Sequence, residues 1–561
     1  MRQLQVGRNC ALFLLLLQAP APGQSTALLD VLGEELNRNF SGLKKADPPP
    51  HYIAYGVSEQ ESYIISAGSG ALLRNSHSKL RYLDVTVRVG TPQLDSYHRM
   101  RNERPRFTAG TLLPIEDDRA AIQRRVWAET DRVYRLGAQR LINIKTNTQV
   151  KVEEQDQSAD FSPSEPSTHV EPVPGLRFSA DEWTSRIRKL SAAFAEFPTV
   201  LSSGISVAVQ RETNSLVDSE GSRIQHGGIM ARIVISARTK AADGMDLATS
   251  ESFEAPDPSR LPKDEVILAS IEKVAKDLTA LSRAPVVDPF AGPAILSGRA
   301  AGVFFHEIFG HRVEGHRQKD ETEGQTFTNS VDSKVLPEFL SVVFDPTVRT
   351  SGNQHLNGAY LFDDEGVRAR PVTVVDKGVL KTFLMSRSPI EGFPKSNGHG
   401  RRQPGAEVVS RQSNLLVRSS NQVSEAKLRE MLVEEIRRQN KPYGLFFRDV
   451  TGGYTLTGRR GLQAFTVMPV VVFQVFPDGR PDQLVRGVDI VGTPLASFAR
   501  IVATSERMDV FNGICGAESG SVPVSAVSPA ILVSELEVQR KQRSDERPPL
   551  LPRPSLTGGD E

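Results

Sequence analysis

The pattern of apolar positions in the first half of the chain predicts strands followed by amphipathic helices. Runs rich in β-branched and aromatic residues lie between residues 52 and 89 and again between 200 and 254, which is typical of strands. The first of these regions is interpreted as several short strands separated by polar turns. Apolar residues recur at helical spacings in three other segments. These predict helices from Ile115 to about Leu141, from Ser179 to Pro198, and over 264–282.

The second half of the chain is also mixed, but it is richer in strands. A nearly continuous apolar segment at 298–310 predicts a buried helix, and a charged segment at 424–438 predicts another helix. Strands are expected at 372–375 and 465–476, where β-branched and aromatic residues cluster. The sequence therefore predicts an α+β fold, with a mixed α/β N-terminal domain and a strand-rich C-terminal domain.

Length and proline placement indicate how the chain divides. A chain of 561 residues is too long for one ordinary core, so two or more domains are expected. The proline-rich passage that begins at residue 285 predicts a boundary between an N-terminal domain, 24–285, and a C-terminal domain, 286–543. Segment 153–175 is rich in Ser, Pro, Glu and Asp, which predicts a flexible loop. Residues 544–561 are expected to form a polar tail.

Composition and charge exclude some classes of function. Hydrophobic residues make up 39% of the chain and charged residues 24%, which fits a soluble globular protein rather than a disordered one. The net charge is +1 at pH 7, so the chain lacks the strongly basic field that favours nucleic acid. We therefore expect no nucleic-acid partner.

The N-terminus predicts export. Arg2 and Arg8 precede an apolar run at 11–17, and small residues follow it. This is the pattern of a secretory signal peptide, to which we assign residues 1–23, so the protein is expected to be periplasmic or secreted. No later apolar stretch approaches the roughly 20 residues that a membrane helix needs, so no membrane span is predicted.

Cysteine usage gives a second indication. The chain has two cysteines, Cys10 and Cys515, and Cys10 lies inside the predicted signal peptide. The mature protein would then carry one thiol and no internal disulfide. An unpaired thiol in an oxidising compartment is a hazard unless it is buried or bound, which makes Cys515 a candidate ligand.

The strongest candidate for chemistry is a group of polar residues within the apolar segment at 298–310. The segment is interrupted by His306 and Glu307, and it is directly followed by His311. Two histidines on one helix with a neighbouring Glu as general base resemble the H-E-x-x-H arrangement of zinc peptidases, although the spacing here is one residue longer. The alternative is a pair of core histidines. An ionised carboxylate without a partner is costly in an apolar segment, which argues against that alternative.

The longer spacing imposes a geometric condition on the helix. Residues i and i+5 lie about 140° apart on a regular α-helix, which is poor for binding one ion. Either the helix widens locally through a π-type turn, or it ends at Gly310 and leaves His311 on a turn. Glu307 would lie beside the metal in both cases.

A catalytic zinc site needs a third protein ligand and an open position for water. The candidates are His316, Glu314 and Cys515. The charged residues around His316 suggest that the chain has reached solvent there. Cys515 lies in a Gly-flanked segment that is expected to be a turn, and a thiolate is a strong zinc ligand. The alternative for Cys515 is a buried, inert thiol.

At these residues the chain resembles the TldD/PmbA family of metallopeptidases. The resemblance extends in order across residues 285 to 540, and more weakly over 52–90. It rests on Gly292-Pro293, His306 to His311 with Glu314-Gly315, Phe362 to Gly366, Asn397 to Arg401, Val485-Arg486-Gly487, Asn512 to Gly516, and Ser521 to Val524.

The resemblance implies one Zn²⁺ per chain, held by His306, His311 and Cys515, with Glu307 as the base. It further implies action on small or unstructured peptides within a two-subunit assembly, either a homodimer or a heterodimer with a paralogous subunit. This chain keeps the metal residues, so it resembles the metal-bearing TldD-type subunit. The export signal departs from the family pattern, whose members are usually cytoplasmic.

The expected reaction is hydrolysis of peptide bonds, with Glu307 activating a water at the zinc. His399 or Arg401 could donate to the oxyanion. Two other functions stay open at this point. One is an exported binding or scaffold protein whose structural zinc is closed by His316 or Glu314 as fourth ligand. The other is a metal-dependent amidase that acts on cell-wall amides.

Overall fold

The computed structural model describes residues 26–100, 103–148, 156–459, 465–492 and 497–541. The predicted signal peptide and polar tail lie outside these ranges, as does the start of the predicted loop. Within the described ranges, no helix combines the length and the apolar character that crossing a bilayer requires.

A mostly antiparallel sheet forms the centre of the first half of the chain. Among the described residues its strands are β1 (Pro50–Gly68), β2 (Ala71–Val89), β3 (Thr111–Leu112), β4 (Thr168–Val170), β5 (Ser202–Asp218), β6 (Arg223–Lys240) and β7 (Asp246–Ala255). Their order is β3-β2-β1-β5-β6-β4, and β7 also pairs with β6. Only β4 runs parallel to its neighbour within this set of described strands.

In the part of this half that the structure describes, four α-helices cover the sheet: α1 (Thr26–Leu43), α2 (Arg119–Thr148), α3 (Ala180–Ser191) and α4 (Asp264–Arg283). The buried positions of the strands alternate, as with Ile205, Val207 and Val209 in β5. Because successive side chains of a strand point to opposite faces, these residues lie on one face. The buried residues of α1 and α2 pack against one end of the sheet. The buried residues of α3 and α4 pack against the other end.

A larger, strand-rich sheet forms the centre of the second half. Its described strands are β8 (Phe290–Leu296), β9 (Leu340–Phe344), β12 (Val372–Asp376), β13 (Val379–Leu380), β16 (Asn414–Ser419), β17 (Gln422–Val423), β18 (Gly444–Thr455), β19 (Phe465–Val475), β20 (Gln483–Val485), β21 (Val488–Gly492), β22 (Ile501–Ala517) and β23 (Gly520–Arg540). Two small hairpins lie apart from it, β10 (Thr350–Ser351) with β11 (Gln354–His355), and β14 (Gly400–Arg401) with β15 (Val409–Ser410).

Part of this sheet closes on itself around a buried helix. Strand β8 pairs with both β18 and β23, so β8, β18, β19, β21 and β23 form a ring. The helix α5 (Gly298–Ile308) packs against β18, β22 and β23, and each of its residues except Arg299 is buried. The remaining helices of this half are α6 (His316–Lys319) and α7 (Glu425–Arg438).

The α+β fold class and the strand-rich second half are confirmed. The division into several short strands between residues 52 and 89 is wrong, because this region forms only β1 and β2. Polar residues interpreted as turns continue the ladder instead, and Glu61 pairs with Lys79. Backbone hydrogen bonds hold these strands where the side chains are polar. The domain boundary near residue 285 stays a prediction.

The described part of segment 153–175 contacts the rest of the protein, although the sequence predicts a flexible loop there. Strand β4 pairs with β6. Phe161 is buried beside Tyr52, and the Ser162 amide donates to the carbonyl of Arg387 at 2.8 Å. A single aromatic residue and backbone pairing are enough to dock a segment whose composition is otherwise polar.

Candidate metal centre

The helix α5 carries the first of the two candidate histidines into the core. Its N-cap is Ser297, whose side chain accepts a hydrogen bond from the Ala300 amide at 3.2 Å, as expected for this type of residue. Small residues let the helix approach β23 closely, because a methyl group at Gly302 would lie 3.2 Å from the Ala526 Cβ. His306 lies in the last turn, and the helix ends at Ile308.

The end of α5 explains the five-residue spacing. A 3₁₀ turn, Gly310–Val313, follows the helix and carries His311. The two imidazoles lie with ring centroids 5.0 Å apart. Of the two geometries that the sequence allows, the structure has the broken helix, which ends before Gly310. A side chain at Gly310 would overlap the carboxamide of Gln412, so this turn requires a glycine for space.

Cys515 lies opposite these histidines, although it is more than two hundred positions away in sequence. It is in β22, where it pairs with Val522 of β23, and not in the turn that the sequence suggests. Its Sγ lies 3.4 Å from the His311 Nε2. Suitable donor atoms of His306, His311 and Cys515 all lie within 4.8 Å of one another, and all three residues are buried.

This donor set fits a zinc ion. Zinc in proteins takes nitrogen at about 2.0 Å and sulfur at about 2.3 Å in tetrahedral geometry, so two such ligand atoms lie roughly 3.5 Å apart. The observed separation of Cys515 Sγ and His311 Nε2 is 3.4 Å. Two imidazoles and one thiolate are also the kinds of ligand that zinc prefers.

Cys515 and His311 shift each other's pKa values in opposite directions. Burial alone would raise the pKa of the Cys515 thiol, but His311 and His306 lower that pKa well below its usual value. Burial opposes a charged His311, yet Cys515 and Glu314 raise the pKa of its imidazole well above the usual value. These pKa shifts favour the deprotonated thiol, which is the form that binds metal.

Glu307 is placed beside the two histidines without being one of the three converging donors. Its Oε2 lies 3.9 Å from the His311 Nε2, and burial raises the pKa of its carboxyl, which His306 partly offsets. Gly453 of β18 leaves room for it, since a methyl group there would lie 2.6 Å from the Glu307 Cγ.

The residues after His311 form a buried ionic network, and the expectation that the chain reaches solvent near His316 is wrong. His316 itself is 9% exposed, and Glu314 is fully buried. His316 pairs with Glu518, and the Arg317 Nη2 donates to the same carboxylate at 2.9 Å. Reciprocal ion pairing lets these charged side chains be buried, which their composition alone does not predict.

The two residues considered as oxyanion donors have other partners. The His399 Nε2 lies 3.1 Å from the Ser413 Oγ. The Arg401 Nη1 donates to the carbonyls of Gln412 at 2.6 Å and Pro523 at 2.8 Å. Both donors therefore hold the surrounding backbone and side chains, and we do not assign either of them to the oxyanion.

A buried helix with a His-Glu pair, completed by a distant thiol, defines a candidate metal-binding protein. The family model for the PmbA/TldA metallopeptidase C-terminal domain matches residues 291–540. A metalloprotease of Methanocaldococcus jannaschii is 26% identical over 309 residues, which cover 54% of this chain and 63%, just under two thirds, of that protein. A metalloprotease of Methanothermobacter thermautotrophicus is 24% identical over 481 residues, 83% of this chain and 96% of that protein.

A solved structure shares the fold. TldE from Thermococcus kodakarensis superposes with a TM-score of 0.61 at 13% identity, over 91% of this chain and 100% of that chain. Together with the match of residues 291–540, these similarities confirm the resemblance seen in the sequence. Residues 291–540 match the C-terminal domain of the TldD/PmbA family, and the similar proteins support the same family.

Proposed function

We propose that the protein is a metallopeptidase that hydrolyses peptide bonds, with zinc held by His306, His311 and Cys515. The observation that carries this proposal is the convergence of these three buried donors within 4.8 Å, with the Glu307 carboxylate 3.9 Å from one of them. Two relatives with similar sequences are named metalloproteases.

Each side chain has a distinct task in the proposed reaction. Zinc, when bound, supplies a Lewis acid that activates water and polarises a carbonyl. The two histidines and the thiolate would hold the ion, and a site with three protein ligands would leave one position for water. Glu307 takes the proton from the attacking water and delivers it to the amine nitrogen as the C–N bond breaks. Its pKa is raised by burial, which favours its acceptance of that proton.

The geometry favours a catalytic zinc over a structural one. A structural site is closed by four protein ligands. Among the described residues, the converging group contains only three donors. The two candidates for a fourth ligand have other partners. Glu314 contacts the His311 Nδ1 at 3.2 Å, and His316 pairs with Glu518.

Strand addition along β18 is our proposal for how peptides bind. The parallel partner β8 pairs only with Leu445 to Phe447 of β18, whereas β19 follows the other edge as far as Thr455. Gly453, which contacts Glu307, lies in the part that β8 does not cover. Main-chain recognition of this kind accepts many sequences, so small or unstructured peptides are the expected substrates. Cleavage confined to one defined sequence would contradict this mode of binding.

Export and assembly also remain proposals. We propose that the protein is periplasmic or secreted and that it works as a homodimer or as a heterodimer with a paralogous subunit. N-terminal sequencing of the mature protein tests the first proposal. Light scattering of the purified chain, alone and with co-purifying partners, tests the second. A monomer without partners that cleaves peptides at full rate would contradict it.

The decisive experiment removes the base and keeps the ligands. Glu307→Gln should retain zinc, because Glu307 is not one of the three donors, and should lose cleavage of unfolded polypeptides. Glu321→Gln is the matched control, since Glu321 is exposed and outside the site. Full turnover in Glu307→Gln would overturn the role of Glu307. Cleavage of peptidoglycan fragments but not of polypeptides would favour the amidase.

A further inference from the structure

Arg411 is a fully buried arginine on the short connection between β15 and β16. Its Nη2 donates to the Cys515 Sγ at 3.3 Å and to the Cys515 carbonyl at 2.7 Å. Its Nη1 donates to the Ser519 Oγ at 2.7 Å and to the Gly520 carbonyl at 2.9 Å. The guanidinium therefore spans the turn between β22 and β23 and contacts the candidate sulfur ligand directly.

Glu314 makes the corresponding contact with the histidine ligand. Its Oε2 accepts from the His311 Nδ1 at 3.2 Å and from the Arg317 Nε at 2.8 Å. Its Oε1 has no hydrogen-bond partner among the described residues and faces the Arg411 Nε at 3.5 Å. Glu314 and Arg411 are both fully buried, so this ion pair is screened little by solvent.

These contacts close a ring of four side chains. His311 contacts Glu314, Glu314 faces Arg411, Arg411 contacts the Cys515 sulfur, and that sulfur lies 3.4 Å from the His311 Nε2. We propose that Glu314 and Arg411 are positioning residues that set the two ligands for the metal and balance their charge. The proposal rests on the metal site of the proposed function but not on its peptidase activity.

The two positioning residues act on the ligands in opposite directions. A carboxylate that accepts from Nδ1 fixes the tautomer in which Nε2 is free to bind, and it makes the imidazole a stronger donor. A guanidinium that donates to a thiolate withdraws electron density from the sulfur. Because each charge also compensates the other, removal of one would weaken the compensation of the other buried charge.

Cobalt substitution tests this arrangement without depending on turnover. Co²⁺ bound to a thiolate gives a sulfur-to-metal charge-transfer band, whose energy falls when the sulfur loses a hydrogen bond. In Arg411→Lys, which keeps the charge, we expect this band to move to longer wavelength. In Glu314→Gln we expect affinity for Co²⁺ and Zn²⁺, measured by chelator competition, to fall about 10- to 100-fold.

Two controls separate positioning from support of the fold. Ser519→Ala removes one contact of Arg411 with the turn and leaves its contacts with the Gly520 carbonyl and the Cys515 sulfur, so the cobalt band should not move. Arg387→Lys alters another fully buried arginine, which contacts Glu220 and Tyr52 instead, and should bind cobalt as the wild type does. Arg411→Ala is expected to unfold, so Arg411→Lys is the informative change.

The outcomes distinguish this proposal from the proposed function. If Arg411→Lys and Glu314→Gln keep native circular dichroism, wild-type affinity and an unmoved band, the ring has no positioning role. A wild-type protein that binds neither Co²⁺ nor Zn²⁺ would overturn both proposals. A protein that binds metal as expected but cleaves no peptide would overturn only the peptidase.

Discussion

Substitution of Gly453 by Ala tests whether Glu307 works from the position seen in the structure. A methyl group at this position would lie 2.6 Å from the Glu307 Cγ and 2.9 Å from the Thr466 carbonyl oxygen. The backbone of Gly453 has no positive φ, so the change tests space and not backbone strain. The Thr466 oxygen belongs to strand β19, which is paired with β18, so its backbone can move only slightly. The Glu307 side chain must therefore move.

The size of that movement sets the expected loss. Real Cβ atoms rarely approach neighbours closer than 3.4 Å, so the Glu307 Cγ must retreat by about 0.8 Å. When a catalytic group is misplaced by about 1 Å, the reaction rate falls on the order of 100-fold. We therefore expect Gly453→Ala to lower kcat/KM for an unfolded polypeptide about 100-fold. Overpacking should also lower the free energy of unfolding by about 1–3 kcal/mol.

The assay measures kcat/KM and zinc content on the same preparation. Zinc content should stay at the wild-type level, because Gly453→Ala displaces the base and leaves the three ligands in place. Gly516→Ala is the matched control, since a methyl group at Gly516 meets no atom within 4 Å although it adjoins Cys515. Wild-type kcat/KM in Gly453→Ala would refute the assignment of Glu307 as a base at this position.

The turn that carries His311 and the buried His399 give two further predictions. Gly310→Ala should destabilise the fold by about 2 kcal/mol through overlap with Gln412, and much less in a Gln412→Ala background. Strictly additive costs in chemical unfolding would contradict that contact. Burial lowers the pKa of His399 from 6.5 to about 3. Below pH 6.5, His399 therefore binds a proton in the unfolded chain but not in the folded protein. The free energy of unfolding should therefore fall by roughly 2–3 kcal/mol from pH 6.5 to 4.5, and less in His399→Gln. Equal pH dependence of both proteins would refute this.

Helices were largely predictable from the sequence because their signals are local. Ser179 caps α3 by accepting from the Glu182 amide at 3.3 Å, as the pattern of a capping box predicts. Strands were harder to delimit, because the polar middle of β1 is held by backbone pairing on both edges. On one of these edges the partner is β5, which is more than a hundred positions away in sequence, so no local pattern reveals that pairing.

The candidate site was predictable in its ligands but not in their surroundings. His306 and His311 stand out because imidazoles are unusual in an apolar segment, and Cys515 because it has no thiol partner. Arg411 and Gln412 give no such signal, since a polar run normally predicts a solvated loop. They are buried because the Cys515 hairpin and the end of α5 supply partners for them.

The two parts of the candidate metal centre are joined by charges that include Arg104 from the first half of the chain. Asp320 and Glu323 follow the histidine ligands, whereas Glu518 lies just after the cysteine ligand. The Arg104 Nη2 donates to Asp320 at 2.9 Å and to Glu323 at 3.1 Å, and its Nη1 lies 3.3 Å from Glu518. Arg317 bridges Glu323 and Glu518 in the same way.

Buried carboxylates of this kind are stable only with their cations. Residues 291–540, which match the family model, contain Arg317 but not Arg104. Arg104 joins the histidine and cysteine parts from outside the matched region. The candidate ligands belong to the second half of the chain, but the charges that hold them together come from both halves, so the candidate metal centre depends on both halves of the fold.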